Sequence, residues 1–155
     1  MLYYYILKSF YLYAIALWSG SAFFVTLFSA PAAFKVFPKE EAGRYTEFLL
    51  GKYFSLCFIL SMLSITSFYL LIKNNLSFAS AFNILLLLLA GMLNLINGFY
   101  LYPKAVKLKV EYYETNSKEK YDSFLKIHKI SMLLNSITLL CLWMVLGITS
   151  LFLTF

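Results

Sequence analysis

Long apolar runs alternate with short polar segments along the whole chain. Four of these runs can cross a bilayer core about 30 Å thick, because an α-helix rises about 1.5 Å per residue. In lipid the backbone must satisfy its own hydrogen bonds, which favours helices. The pattern therefore predicts an all-α, four-helix transmembrane bundle that forms one integral membrane domain over residues 1–155, with helices at about 7–34, 53–72, 81–102 and 118–155.

The polar segment 38–52 separates the first two apolar runs. Pro38 suits a first helical turn, and Glu40 and Glu41 complement the positive end of the helix dipole there. We therefore expect a short amphipathic surface helix between helices one and two, with a solvated connector as the alternative.

Two prolines lie near the ends of apolar runs. Proline lacks an N–H and its ring crowds the preceding turn, so Pro31 is expected to kink or end the first helix and Pro103 to bend the third. The residues beyond Pro103 keep helical propensity, which predicts that the third helix extends to about residue 114.

One face of the fourth helix carries a polar stripe made of His128, Ser131, Asn135 and Thr138. Polar side chains at membrane depth are costly unless they face other helices or water, so the stripe is expected to face the bundle interior. Helices one and three place further polar residues at a similar depth, namely Thr26, Ser29, Asn94 and Asn97.

A second stripe, of small residues, lies on helix one and fits close packing against another helix or a homodimer. It consists of Ser19, Ala22, Thr26, Ser29 and Ala33.

Basic residues are distributed very unevenly among the polar segments. Eleven of the 13 lie in or beside the connector between helices one and two and the connector between helices three and four, leaving only Lys8 and Lys73 elsewhere. The positive-inside rule then places connectors 35–52 and 103–123 in the cytoplasm and both termini outside, in the cell (inner or plasma) membrane.

The net charge of +6 does not indicate nucleic-acid binding, because the lysines flank apolar spans and form no face that could follow a phosphate backbone. The expected partners are the lipid bilayer and anionic lipids at the cytoplasmic surface.

The chain has no CxxC, no HExxH, no glycine-rich phosphate loop and no Ser-His-Asp grouping at one depth. No catalytic residue is therefore predicted, and an enzyme is disfavoured.

Polar groups converging from three helices favour a small transporter or channel-like protein with a cytoplasm-facing polar cavity for a small solute or a metal species. The residues predicted to line it are His128, Ser131, Asn135, Asn94, Asn97, Thr26 and Ser29. Interhelical hydrogen bonding in a non-catalytic assembly subunit is the alternative for the same residues.

Four short motifs in this order resemble the transmembrane protein 205-like family, a group of small four-helix membrane proteins also catalogued as a domain of unknown function. They are Trp18-Ser-Gly20, Ala30-Pro31-Ala-Ala-Phe34, Ala42-Gly43-Arg44 and Phe124-x3-His128-x2-Ser131-x3-Asn135. The resemblance runs from Trp18 to about Leu142 and departs at Lys129, where glycine is common. It implies a link to metal tolerance, and a distant similarity to copper-resistance D membrane proteins and a small haem-pathway membrane oxidase.

Those relatives raise haem or copper binding as an alternative function centred on His128. One histidine cannot form a bis-histidine haem site within one chain, but Met132 lies one turn further along and a homodimer would supply a second His128. His128 and Met132 are therefore the candidate metal ligands.

Overall fold

The computed structural model describes residues 2–74 and 76–152. Within them the chain forms four long helices, each apolar enough to cross a membrane, and no strand. Their bounds are Leu2–Val36, Lys39–Ile72, Phe78–Thr115 and Lys118–Phe152, here the first to fourth helices. The predicted all-α, four-helix bundle is confirmed, and the chain is a multi-pass membrane protein. The predicted helix end at residue 155 lies outside the described residues.

The first two helices differ from their predicted bounds. The first begins at Leu2 and not near residue 7, because its apolar pattern extends through the preceding turns. The expected short surface helix is helical but not separate, since Lys39–Ile72 is one continuous helix. Its polar start is held against the third helix, where the Tyr102 hydroxyl donates to the Glu47 carbonyl at 2.8 Å and Lys109 pairs with the Glu47 carboxylate at 2.8 Å.

Both prolines are accommodated by π-helical turns, so neither ends its helix. A π turn over Val25–Ser29 precedes Pro31, and another over Asn97–Leu101 precedes Pro103. At the end of each turn a backbone N–H bonds to the carbonyl five residues earlier. The wider turn relieves the clash of the proline ring with the preceding turn, and the helices then continue to Val36 and Thr115.

The four helices enclose one core, whose largest fully buried side chains include Trp18, Phe68, Leu87 and Leu142. The first helix packs mainly on the second, and the third mainly on the fourth. The small residues Ser19, Ala22 and Ala33 are buried inside this bundle. This part of the stripe therefore serves packing within the chain and is not free to form a homodimer.

The connections define two ends of the bundle. At the connector end, the third and fourth helices are joined by Asn116 in the left-handed conformation (φ 50°), and Lys120 pairs with Glu111 at 2.6 Å across the joint. At the terminal end, a capping box between Ser77 and Ser80 starts the third helix. The terminal end also holds the beginning of the first helix and the last described turn of the fourth.

Candidate functional site

Two sets of hydrogen bonds, which both include the fourth helix, connect polar side chains of all four helices in the half of the apolar spans nearer the connectors. The Tyr53 hydroxyl donates to Asn135 Oδ1 at 2.7 Å, and Asn135 Nδ2 donates to Thr26 Oγ1 at 2.6 Å. Asn97 Nδ2 donates to the Ser131 carbonyl at 2.9 Å, while the Ser131 hydroxyl donates to Asn97 Oδ1. We call these five residues the connector-end cluster. Both amide side chains are bonded through their oxygen and their nitrogen.

The π turns position two members of this cluster. Thr26 lies in the first turn and Asn97 opens the second. Next to Asn97, an ideal Cβ on Gly98 would lie 2.9 Å from Cβ of Phe54, closer than real side chains approach. Glycine at this position therefore permits a close approach of the second and third helices beside the cluster.

Four of the seven predicted cavity residues meet in this cluster, namely Thr26, Asn97, Ser131 and Asn135. Ser29 lies apart and contacts the Tyr45 hydroxyl at 3.3 Å. His128 is half-buried, and its ring stacks on Phe124 one turn earlier with 5.7 Å between ring centroids. His128 thus contacts an aromatic ring of its own helix and takes no part in the hydrogen bonds of the connector-end cluster.

The remaining predicted residue, Asn94, is only 3% exposed, and its Nδ2 has no hydrogen-bond partner within the described residues. Ser64 Oγ and Asn83 Oδ1 are likewise buried and unpartnered in that part of the chain. Buried polar groups almost always bond to protein or to ordered water. These three atoms are therefore positions in the bundle interior where a further hydrogen bond, for example to an ordered water, is expected.

Sequence reasoning missed a second cluster, near the terminal end. The Tyr11 hydroxyl and Thr149 Oγ1 are 2.7 Å apart, and Asn83 Nδ2 donates to Tyr11 at 3.2 Å and to Thr149 at 3.1 Å. We call these three residues the terminal-end cluster. Helical spacing gave a signal for it, because Asn83 lies three turns before Asn94, and Thr149 four turns after Asn135, on the same faces.

The buried polar groups of the described residues belong mainly to serine, threonine and asparagine, together with the hydroxyls of Tyr11 and Tyr53, and none of them is an acidic or basic side chain. Unpaired charges are very costly in such an interior, whereas hydroxyls and amides both donate and accept hydrogen bonds. The arrangement therefore suits a neutral, hydrogen-bonding molecule better than a free ion.

The residues proposed as metal ligands do not fit a haem or copper site within one chain. Met132 is 52% exposed on the outer surface of the fourth helix, while His128 stacks on Phe124. Across the described residues, no three or more His, Cys, Asp and Glu side chains group as a metal site would need. Cys57 and Cys141 are buried, free thiols on different helices. The donor set is therefore too small and too scattered.

Comparison with known proteins gives one family. The profile of the "Domain of unknown function (DUF4149)" matches residues 13–114, which are 102 of the 155 residues. The match includes Thr26, Tyr53, Asn94 and Asn97 but ends before the fourth helix. No curated protein and no solved structure matches the chain. Because the match covers well over half of the sequence, this multi-pass membrane protein belongs to the DUF4149 family.

Proposed function

We propose that this protein is a small transporter or channel-like protein for a small uncharged solute, with the connector-end cluster at its cytoplasmic mouth. The observation that carries the proposal is that polar side chains of all four helices meet where two helices also contain π turns. Such turns frequently mark functional positions in membrane helices, because they let a helix change its local geometry. Opening the mouth would require the cluster's hydrogen bonds to exchange for bonds to the solute.

Two further observations support a neutral solute. Asn94 lies one turn from Asn97 on the third helix, and its buried Nδ2 donor has no partner among the described residues. The buried polar side chains among the described residues are uncharged, so a passing ion would find little compensation for lost hydration. Metal handling, which the family resemblance implies, has less support because the candidate donors are scattered.

The mutual bonding of Asn97, Ser131 and Asn135 also favours a second candidate, a membrane assembly subunit that binds no solute. In that case the cluster only fixes the packing of the helices, at about 0.6 kcal/mol per bond on average. The two candidates differ in what they predict for Asn94, whose buried Nδ2 has no partner among the described residues. Only the transport candidate predicts that replacing Asn94 changes solute entry as well as stability.

The deciding experiment measures solute entry into proteoliposomes by stopped-flow light scattering, with urea and glycerol as neutral probes. Wild type is compared with Asn94→Leu and with a matched control, Ser150→Ala, whose native hydroxyl is exposed and donates to the Gly147 carbonyl of its own helix. We expect wild type and the control to admit at least one probe faster than empty vesicles, and Asn94→Leu to lose that entry while remaining folded.

Absence of entry above empty vesicles for both probes would overturn the transport proposal. The assembly candidate predicts that result, together with a lowered unfolding midpoint or an altered oligomeric state for Asn135→Leu. A parallel arm with a copper-sensitive dye inside the vesicles addresses metal handling. Copper entry that His128→Ala abolishes and Asn94→Leu spares would favour a metal substrate over a neutral one.

A further inference from the structure

The terminal-end cluster lies at the end of the bundle opposite to the proposed mouth. Tyr11 and Asn83 are fully buried and Thr149 is 6% exposed. These residues come from the first, third and fourth helices, and the second helix contributes Phe68, whose ring centroid lies 4.9 Å from that of Tyr11. Side chains of all four helices therefore meet at this end, as they do at the connector end.

Unpartnered polar atoms lie between the two clusters. Ser64 precedes Phe68 by one helical turn, so it sits about 6 Å further towards the connector end. It is fully buried, and its Oγ has no partner among the described residues. Asn94 lies eleven residues from Asn83 along the third helix, about 16 Å deeper. The interior thus offers spaced hydrogen-bonding positions with a bonded cluster at each end.

Asn83 belongs to the terminal-end cluster and also carries one of these unpartnered atoms. Its Nδ2 bonds to both hydroxyls, whereas its Oδ1 is buried and accepts nothing from the described residues. An amide oxygen in this setting is an acceptor for a neutral donor such as an N–H or O–H group of a small solute.

We propose that the terminal-end cluster is a second constriction, which closes the interior at this end and presents Asn83 Oδ1 to a small neutral hydrogen-bond donor as it passes. This inference rests on the proposed function for its role in transport. The closure itself does not rest on the proposed function, because the rate at which a reagent reaches the interior can be measured without measuring solute transport.

The test measures the rate at which a small neutral thiol reagent, methyl methanethiosulfonate, modifies Ser64→Cys in the full-length reconstituted protein. The background carries Cys57→Ala and Cys141→Ala. Tyr11→Phe and Thr149→Val each remove one hydroxyl from the cluster while keeping the shape of the side chain. We expect either change to raise the modification rate about tenfold, because interhelical hydrogen bonds that hold the end closed are lost.

Two controls make the rates interpretable. Leu63→Cys, at a position 47% exposed on the outer surface, should react equally fast in every background, because the reagent reaches it through the lipid. Ser150→Ala should leave the Ser64→Cys rate unchanged. Using two cluster variants keeps the test valid if one of them fails to fold.

The outcomes separate this inference from the proposed function. Faster modification of Ser64→Cys in both folded variants, with no probe entering the vesicles, keeps the closure and overturns transport. Solute entry with Ser64→Cys rates that stay within about twofold of each other overturns the second constriction and leaves transport standing. Equal acceleration of Leu63→Cys would also overturn it, since the variants would then loosen the whole bundle.

Discussion

Gly98 lies where the second and third helices approach each other closely. An added Cβ would lie 2.9 Å from Cβ and 3.1 Å from Cγ of Phe54, and this Phe54 Cβ cannot move without moving the helix backbone. We expect Gly98→Ala to lower the stability of the folded protein by about 1–3 kcal/mol, the usual cost of overpacking. Thermal unfolding in detergent, followed by tryptophan fluorescence, measures the change.

Gly20→Ala is the matched control for this prediction. Gly20 also lies within a membrane helix, but nothing comes within 4 Å of its ideal Cβ. Alanine is a better helix former than glycine by about 1 kcal/mol, so this change should be neutral or stabilising. Equal destabilisation by the two substitutions would mean that the contact with Phe54 is not what requires glycine at 98.

Individual site residues were predictable only in part. The spacing of Ser131 and Asn135 correctly placed both towards other helices. The same spacing included His128, which is half-buried and stacks on Phe124 of its own helix. Periodicity gives the face of a helix on which a residue lies, but not which neighbouring side chains it contacts. Tyr53 was missed, since a tyrosine at the start of an apolar run is also typical of the membrane interface.

The π turn before Pro103 is an element-scale feature with a testable cause. Proline supplies no N–H, whereas an alanine at 103 would supply one, with the carbonyl of Phe99 as its α-helical partner. We expect Pro103→Ala to slow hydrogen–deuterium exchange in the peptide covering 97–104 about threefold or more, as one added backbone bond of about 0.5–1.5 kcal/mol would do. Mass spectrometry of the protein in detergent measures it.

Pro38→Ala is the control, because Pro38 precedes the second helix and interrupts none. It should leave exchange in the 97–104 peptide unchanged. If Pro103→Ala leaves that exchange unchanged as well, then packing around Gly98 stabilises the π turn and Pro103 does not cause it.

The second helix shows why boundaries were harder to predict than elements. The change from polar to apolar residues near Lys52 indicated the end of one helix and the start of another. Polarity marks the depth at which a helix enters lipid, however, whereas a helix ends only where the backbone is broken or capped. No proline lies within Lys39–Ile72, so the helix continues through the polarity change.

At the scale of the whole molecule, apolar run length was sufficient to predict four membrane helices, because the bilayer fixes the length that a span needs. How the two helix pairs face each other was not predictable from length. That arrangement depends on which small and polar side chains meet, as they do in the connector-end and terminal-end clusters.

The distribution of basic residues predicts the orientation of the bundle in the membrane, and this is the last prediction. Eleven of the 13 basic residues lie in or beside the two connectors, which favours a cytoplasmic connector end. We expect an impermeant maleimide to label Asn74→Cys, at the terminal end, in intact cells, and Glu119→Cys, at the connector end, only after permeabilisation. Both positions are exposed, so access depends on the side of the membrane and not on burial.

The native Cys57 and Cys141 are buried, and the unsubstituted protein should therefore give no signal in either condition. The reverse labelling pattern would show an inverted protein and would move the proposed mouth to the outer face. Labelling of both positions in intact cells would show a mixed population. That result would mean that the lysines beside the connectors do not hold the chain in one orientation, even though Lys8 and Lys73 are the only basic residues opposing them.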